Sequence, residues 1–203
     1  MSRGIEKPET EFLVDKLSVS LYNQIMEKKI RDALSCSMRG FRLPRYHEIP
    51  DVGLYLEQAT KYVNQCISAL GFENVTGSMI RNYVKQGLIA NPIQKQYSAD
   101  QIAHMIALVL LKQVTNLEYV SNLFQILKTH EKYTPQVAYD YFCEELENNL
   151  YFRFGLKDSF EYLGGTSSLE KEMLRSAVTA VSHIVYLNRG FRILSERQSN
   201  GTE

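Results

Sequence analysis

Apolar residues recur with a helical period along most of this chain. In residues 12–34 they fall at Phe12, Leu13, Leu17, Leu21, Ile25, Ile30 and Leu34, a spacing that predicts one long helix. Ser37-Met38-Arg39-Gly40 breaks the pattern. Residues 41–51 contain Pro44 and Pro50 and read as an extended connector. A second helix is expected from Asp51 or a neighbour. Leu54, Ala59, Tyr62, Val63, Cys66, Ile67 and Leu70 form its inner face, and Gly71 is its stop.

Polar punctuation divides the rest. Thr76 is placed as an N-cap for a short helix over 77–86, ended by Gly87. Ser98-Ala99-Asp100-Gln101 reads as a capping box opening a very apolar helix to about Lys112. Thr115-Asn116-Leu117-Glu118 reads as a second box, opening a helix to about Thr129. Thr134-Pro135 supplies a cap followed by proline at the first helical position, for a helix to about Phe154. Gly155, Gly164 and Gly165 mark a loop. Ser167-Ser168-Leu169-Glu170 opens a last helix to about Leu194, and a disordered tail is expected over 196–203. No stretch alternates cleanly, so the only strand candidate is a tiny hairpin within 89–97. The pattern predicts an all-α fold: a helix-turn-helix with a shortened wing, and a helical C-terminal region. The expected organisation is an N-terminal helix and connector (1–42), a helix-turn-helix head (43–130), a helical C-terminal region (131–195) and the tail.

Composition narrows the class. The chain has 203 residues, 44% of them hydrophobic, which are globular proportions that exclude a disordered or collagen-like chain. The first eleven residues lack an apolar signal core. The longest apolar run, 105–111, is far short of the roughly 18 residues of a membrane span, so no membrane association is expected. Cys36, Cys66 and Cys143 are widely separated and odd in number, which argues for reduced thiols in a cytoplasmic protein.

Net charge is zero, from 23 Lys+Arg and 23 Asp+Glu, and this excludes a uniformly basic nucleic-acid coat. The zero is a sum of blocks, however: +5 over residues 28–46, +3 over 76–130 and −5 over 131–172. A polyanion-binding half and a partner-binding half fit that distribution, as do ordinary solvated faces.

The most informative stretch is 75–98. A helix ends at Gly71, Phe72-Glu73-Asn74 makes a turn, and Val75 plugs back into the core. Thr76 then caps a helix whose Met79, Ile80 and Tyr83 are spaced to grip that core. Ser78, Arg81, Asn82 and Lys85 are left facing outward. These are the residue types a helix needs in a DNA groove: Arg and Lys for guanine edges or phosphate, Asn for adenine, Ser for phosphate. The helix N-terminus near Thr76 and Ser78 adds a phosphate site. No nucleophile–base set, metal cluster or phosphate loop emerges elsewhere. His104 lies one turn from Asp100 without a third partner, His47-Glu48 has no helical context, and Gly164-Gly165 lacks the spacing and lysine of a phosphate loop. The chain is therefore not expected to be an enzyme or to carry a cofactor.

The run Ile80-Arg81-Asn82-Tyr83, then Gly87-Leu88 and Tyr97-Ser98, resembles the N-terminal winged helix-turn-helix of MerR-type transcriptional regulators. That resemblance implies that Arg81 contacts DNA and Tyr83 supports a backbone clamp. Three features depart from it: a long first helix, a wing reduced to Gln94-Lys95-Gln96, and about seventy preceding residues with no counterpart. With Leu43-Pro44 and Tyr46 leading in, the chain looks more like a YkrK-like bacterial family. That family is largely a domain of unknown function, with a repressor role described for its type member. Together these readings imply a cytoplasmic homodimeric regulator, a repressor by resemblance, that binds double-stranded DNA through a DNA-binding head over 43–130 and carries an effector or dimerisation region over 131–195. Its contacts would come from Thr76, Ser78, Arg81, Asn82, Tyr83, Lys85, Lys95 and Tyr97, with Arg42 and Arg45 touching the backbone beside the head. The effector, if any, is unspecified. The contrasting expectation is a helical adaptor or ligand-binding module that keeps the fold without binding DNA.

Overall fold

The computed structural model describes residues 9–129, 134–163 and 168–200, with side chains over 20–126, 134–163 and 168–198. The described chain is helical: α1 (Glu9–Met38), α2 (Leu56–Ile67), α3 (Gly77–Lys85), α4 (Ala99–Leu111), α5 (Leu117–Thr129), α6 (Pro135–Arg153) and α7 (Leu169–Asn200). Two short strands, β1 (Leu54–Tyr55) and β2 (Gln96–Tyr97), pair antiparallel. No described helix is long and apolar enough to cross a membrane.

Capping side chains set several of these boundaries. Thr76 Oγ1 accepts from Met79 N–H at 3.2 Å to open α3. Ser98 and Gln101 form a reciprocal box at α4, and Thr134 Oγ1 accepts from Val137 N–H at 3.3 Å ahead of Pro135 at α6. Gly71 takes the left-handed conformation after a single 3-10 turn, Ser68–Leu70, that ends α2.

Other boundaries move. α1 runs through Ser37 and Met38 because Met38 is fully buried; the break begins two residues later, at Arg39-Gly40. α2 starts at Leu56 and not near Asp51, because Leu54 and Tyr55 are recruited into β1. Asn116, not Thr115, caps α5, accepting from Tyr119 N–H at 2.9 Å. α7 continues to Asn200, so the stretch expected to be disordered is helical up to that point. Gly164 and Gly165 and the last three residues lie outside the described residues. The hairpin over 89–97 is also corrected. Ile93 and Gln96 form a bridge around a two-residue turn, but β2 takes its main partner from β1, forty residues earlier in the chain.

One hydrophobic cluster runs from Leu34 through α2, α3, α4 and α6 to Val185. α4 lies inside it, with Met105, Ile106, Leu108 and Leu110 fully buried. α6 and α7 form the most extensive helix pair, and α1 lies against α7.

α6 departs from the usual apolar stripe, since Glu145, Glu147, Asn148 and Asn149 are buried on it. The positions Asp140, Cys143, Glu147 and Tyr151 recur at helical spacing along one side of α6, and together they hold the connector. Asp140 Oδ1 accepts from Tyr46 N–H at 2.7 Å, and the Cys143 thiol meets the Pro44 carbonyl at 3.9 Å. Glu147 accepts from Leu43 N–H at 2.9 Å and takes Arg45 bidentately at 2.7 Å on each oxygen. The Tyr151 hydroxyl donates to the Phe41 carbonyl. Farther round α6, the fully buried Glu145 accepts from the Tyr141 hydroxyl at 2.8 Å and from Leu163 N–H at 3.0 Å, and pairs with Arg175 of α7 at 3.2 Å.

Replacing Glu147 by Ala would strand the mostly buried Arg45 guanidinium and the Leu43 N–H. We expect a loss of about 3 kcal/mol in urea-induced unfolding. Arg42→Ala, which breaks only an exposed pair with Glu48, should leave the midpoint unchanged. Equal effects of the two variants would show that the α6 stripe does not anchor the connector.

Candidate nucleic-acid interface

α2 and α3 stand on either side of a short turn. The Asn64 side chain closes the turn between them, donating through Nδ2 to the Val75 carbonyl at 2.9 Å and accepting through Oδ1 from Val75 N–H at 2.8 Å. Val75 is thereby drawn into the core, at 2% exposure. The first turn of α3 lies so close to α2 that a Cβ on Gly77 would stand 3.2 Å from Leu56 Cδ2. A side chain there would require Leu56 to give by a few tenths of an ångström.

With its angle fixed in this way, α3 buries Ile80 and Tyr83 and exposes Ser78, Arg81, Asn82 and Lys85. The four exposed residues share one face at helical spacing, as the sequence predicts. Thr76 is exposed but its hydroxyl is occupied by the cap. Ser78 and Arg81 also line an open groove against α2, with Glu57, Lys61, Asn64 and Gln65 on the opposite wall. Lys61 and Gln65 were not singled out from sequence. Their spacing of one helical turn on the exposed side of α2 is the signal that marks them, since both are exposed polar residues.

Tyr83 and Tyr97 are expected to pack in the core first and to touch phosphate second, and the structure buries both. They are 4% and 3% exposed, so the rings belong to the core beneath the site and not to its outer surface. The Tyr83 hydroxyl accepts from Lys112 Nζ at 2.8 Å, tying α3 to the end of α4. Burial pushes the Tyr97 hydroxyl up from its ordinary value, and the Arg81 charge opposes this. Arg45 is consumed by Glu147 and Arg42 is paired with Glu48, so neither connector arginine is a free cation beside the head.

The shortened wing is a tight turn. Ile93 N–H donates to the Gln96 carbonyl at 3.1 Å and Gln96 N–H returns to the Ile93 carbonyl at 2.9 Å. The two central residues, Gln94 and Lys95, have φ of 51° and 66°. Both are left-handed, the geometry of a type I′ turn, yet neither is the Asn or Gly that adopts it at least cost. Close approach also fixes the base of the wing, because a Cβ on Gly53 would lie 2.7 Å from Gln96 Cβ. Lys95 is exposed at the tip. Tyr55 and Ile93 flank Gln96 on the outer face of the small sheet and are 54% and 79% exposed.

Residues 44–142 match the family model described as a domain of unknown function, DUF1836. The match covers just under half of the chain. It begins where Leu43 and Arg45 are gripped by Glu147 and includes the connector, α2, α3, the wing, α4 and α5. It ends inside α6, so α1 and α7 lie outside it. No curated protein and no solved structure matches the chain. The match is to an uncharacterised domain, and the MerR-type likeness rests on the residues quoted above.

Changing Gln94-Lys95 to Asn-Gly should relieve the left-handed strain and raise stability by about 1 kcal/mol in thermal unfolding. A fall in melting temperature would mean that the turn is not held in this conformation.

Proposed function

We propose that the protein is a DNA-binding transcriptional regulator whose reading head is α2, α3 and the wing. The observation that carries this reading is the outward face of α3. Four DNA-competent side chains, Ser78, Arg81, Asn82 and Lys85, stand exposed on a helix whose angle is clamped by Asn64 and Gly77. Such a helix can enter the major groove, with Arg81 and Asn82 at base edges and Lys85 at phosphate. Lys95 on the wing tip and Lys61 on α2 would then contact backbone on either side. Phosphate neutralisation by a few cations gives binding that weakens steadily with salt. By resemblance the role is that of a repressor.

A regulator that reads a two-fold site works as a dimer, and α7 offers the surface. Leu169, Met173, Ala180, Ile184, Leu187, Phe191 and Leu194 form an apolar stripe on it, while Leu174, Val178, Val181 and Val185 face the core. The stripe spans about 38 Å at the helical rise, and five of its members are largely exposed. Antiparallel pairing of two copies brings the acidic first turn, Glu170 and Glu172, beside the last turn containing Arg197. Parallel pairing would stack like charges.

One observation favours the contrasting adaptor reading: Tyr55 and Ile93 give the wing an exposed apolar face that could hold a protein partner. Retention on heparin at moderate salt, followed by selection of bound genomic fragments, separates the two. No retention and no enriched fragment would favour the adaptor.

Arg81→Ala should weaken specific binding by about 1–3 kcal/mol in gel-shift titrations, with circular dichroism unchanged. An unaltered isotherm would remove α3 from the interface. Sedimentation of the full chain should give a dimer, and the double variant Leu187→Glu, Phe191→Glu a folded monomer. A monomeric wild type, or a double variant that stays dimeric, would overturn the α7 interface.

A further inference from the structure

Behind the head, α4, α5, α6 and α7 enclose a cavity of about 340 Å³, within the range of small-molecule pockets. Short side chains on two facing helices create it: Ala103 and Ala107 on α4, and Ala138 on α6. Its floor is buried at Leu111, Phe142 and Leu174, and its mouth opens to solvent between Asp100 and Pro135. Aromatic rings make up much of the wall. The His104 and Phe124 rings lie 4.1 Å apart between centroids, tilted by 45°, and Tyr139 and Phe142 line the side formed by α6.

Among the described residues that line the cavity, the ionisable groups are Asp100, His104 and Tyr139. Asp100 contributes a carboxylate at the mouth, and none of these described lining residues is a lysine or arginine. The partner described for that carboxylate is the neutral Tyr46 hydroxyl, which donates to Oδ1 at 2.5 Å. Aromatic faces attract cations through their quadrupole, and a carboxylate at the rim of an apolar pocket favours a positive group. An anionic ligand would oppose Asp100, and a neutral one would cover it without compensation.

We propose that this cavity binds a small organic cation: an amine carried on a compact ring or branched apolar body. The ammonium sits at Asp100, and the body sits between Phe124 and Phe142. This site is separate from the proposed DNA face and does not depend on it.

The chain contains no tryptophan, so a naphthyl probe can be followed by its own fluorescence on the full-length protein. Three probes of nearly equal shape make the test: 1-naphthylmethylamine, 1-naphthalenemethanol and 1-naphthoate. The amine should bind saturably, one molecule per chain. The alcohol should bind about tenfold more weakly, consistent with loss of one charge-assisted contact, and the acid not measurably. Asp100→Asn should bring the amine down to the level of the alcohol. Tyr46→Phe frees the carboxylate of its internal donor and should leave the amine preference intact, which separates loss of charge from loss of that hydrogen bond. Ala107→Phe should fill the floor and abolish binding of amine and alcohol alike, with Ala138→Leu as the second filling variant should Ala107→Phe fail to fold. Equal binding of the three probes, an amine preference that survives Asp100→Asn, or binding that survives the filling variants would each overturn the proposal.

Discussion

Glu147 satisfies three donors from two residues of the connector while lying 8% exposed in the middle of α6. A buried carboxylate is costly unless its charge and lone pairs are met. Here they are met by the Leu43 N–H and the Arg45 fork. Those partners lie in the strap between α1 and the head, so the acid sets where both begin. Asp140, Cys143 and Tyr151 extend the grip one helical turn at a time, laying the strap antiparallel along α6. Tyr46, held by Asp140, then reaches Asp100 at the first turn of α4. The position of the head thus depends on polar side chains of a helix that lies largely outside the head itself.

This arrangement also qualifies the charge blocks. The basic surplus of residues 28–46 is lowered by the pairing of Arg42 and Arg45 with acids, and part of the acidic surplus of 131–172 is spent on Glu145 and Glu147 inside the protein. Arg189 is likewise engaged, donating to the Ala69 carbonyl at 2.5 Å at the end of α2. The cations left exposed on the head are few, among them Lys61, Arg81, Lys85 and Lys95. A surface of that kind suits recognition of a site more than general attraction to polyanions.

What was legible in the sequence was local. Thr76, Ser98 and Thr134 each bond a backbone N–H three residues on, so residue type and spacing are enough to locate a helix start. At Thr115-Asn116 two cap-competent residues stand side by side, and the pattern alone could not choose between them. The outward face of α3 was legible because helical phase alone separates Ser78, Arg81, Asn82 and Lys85 from Ile80 and Tyr83. Tyr97 was expected in the core, but the pairing of β2 with β1 across forty residues that holds it there has no local signature. The inward polar face of α6 was hidden for the same reason: its acids are tolerable inside only because Arg45, Leu43 and Arg175 arrive from elsewhere in the chain. The cavity is made of alanines on separate helices, a feature with no local signature. The Asn64 clamp on Val75 is equally silent, because a half-buried asparagine on a helix reads as ordinary surface.

α4 serves as a party wall. On one side it carries α2, and through Lys112 and Tyr83 it is tied to α3. On the other side Ala103 and Ala107 face the cavity. Five of its residues have no exposure at all between those two sides, and interiors this dense give way as a body and not by local yielding. A molecule lodged against the alanines and a duplex pressed on the head would lean on opposite sides of the same thirteen-residue rod. On both proposals, α4 is a rigid element that the cavity and the reading head share.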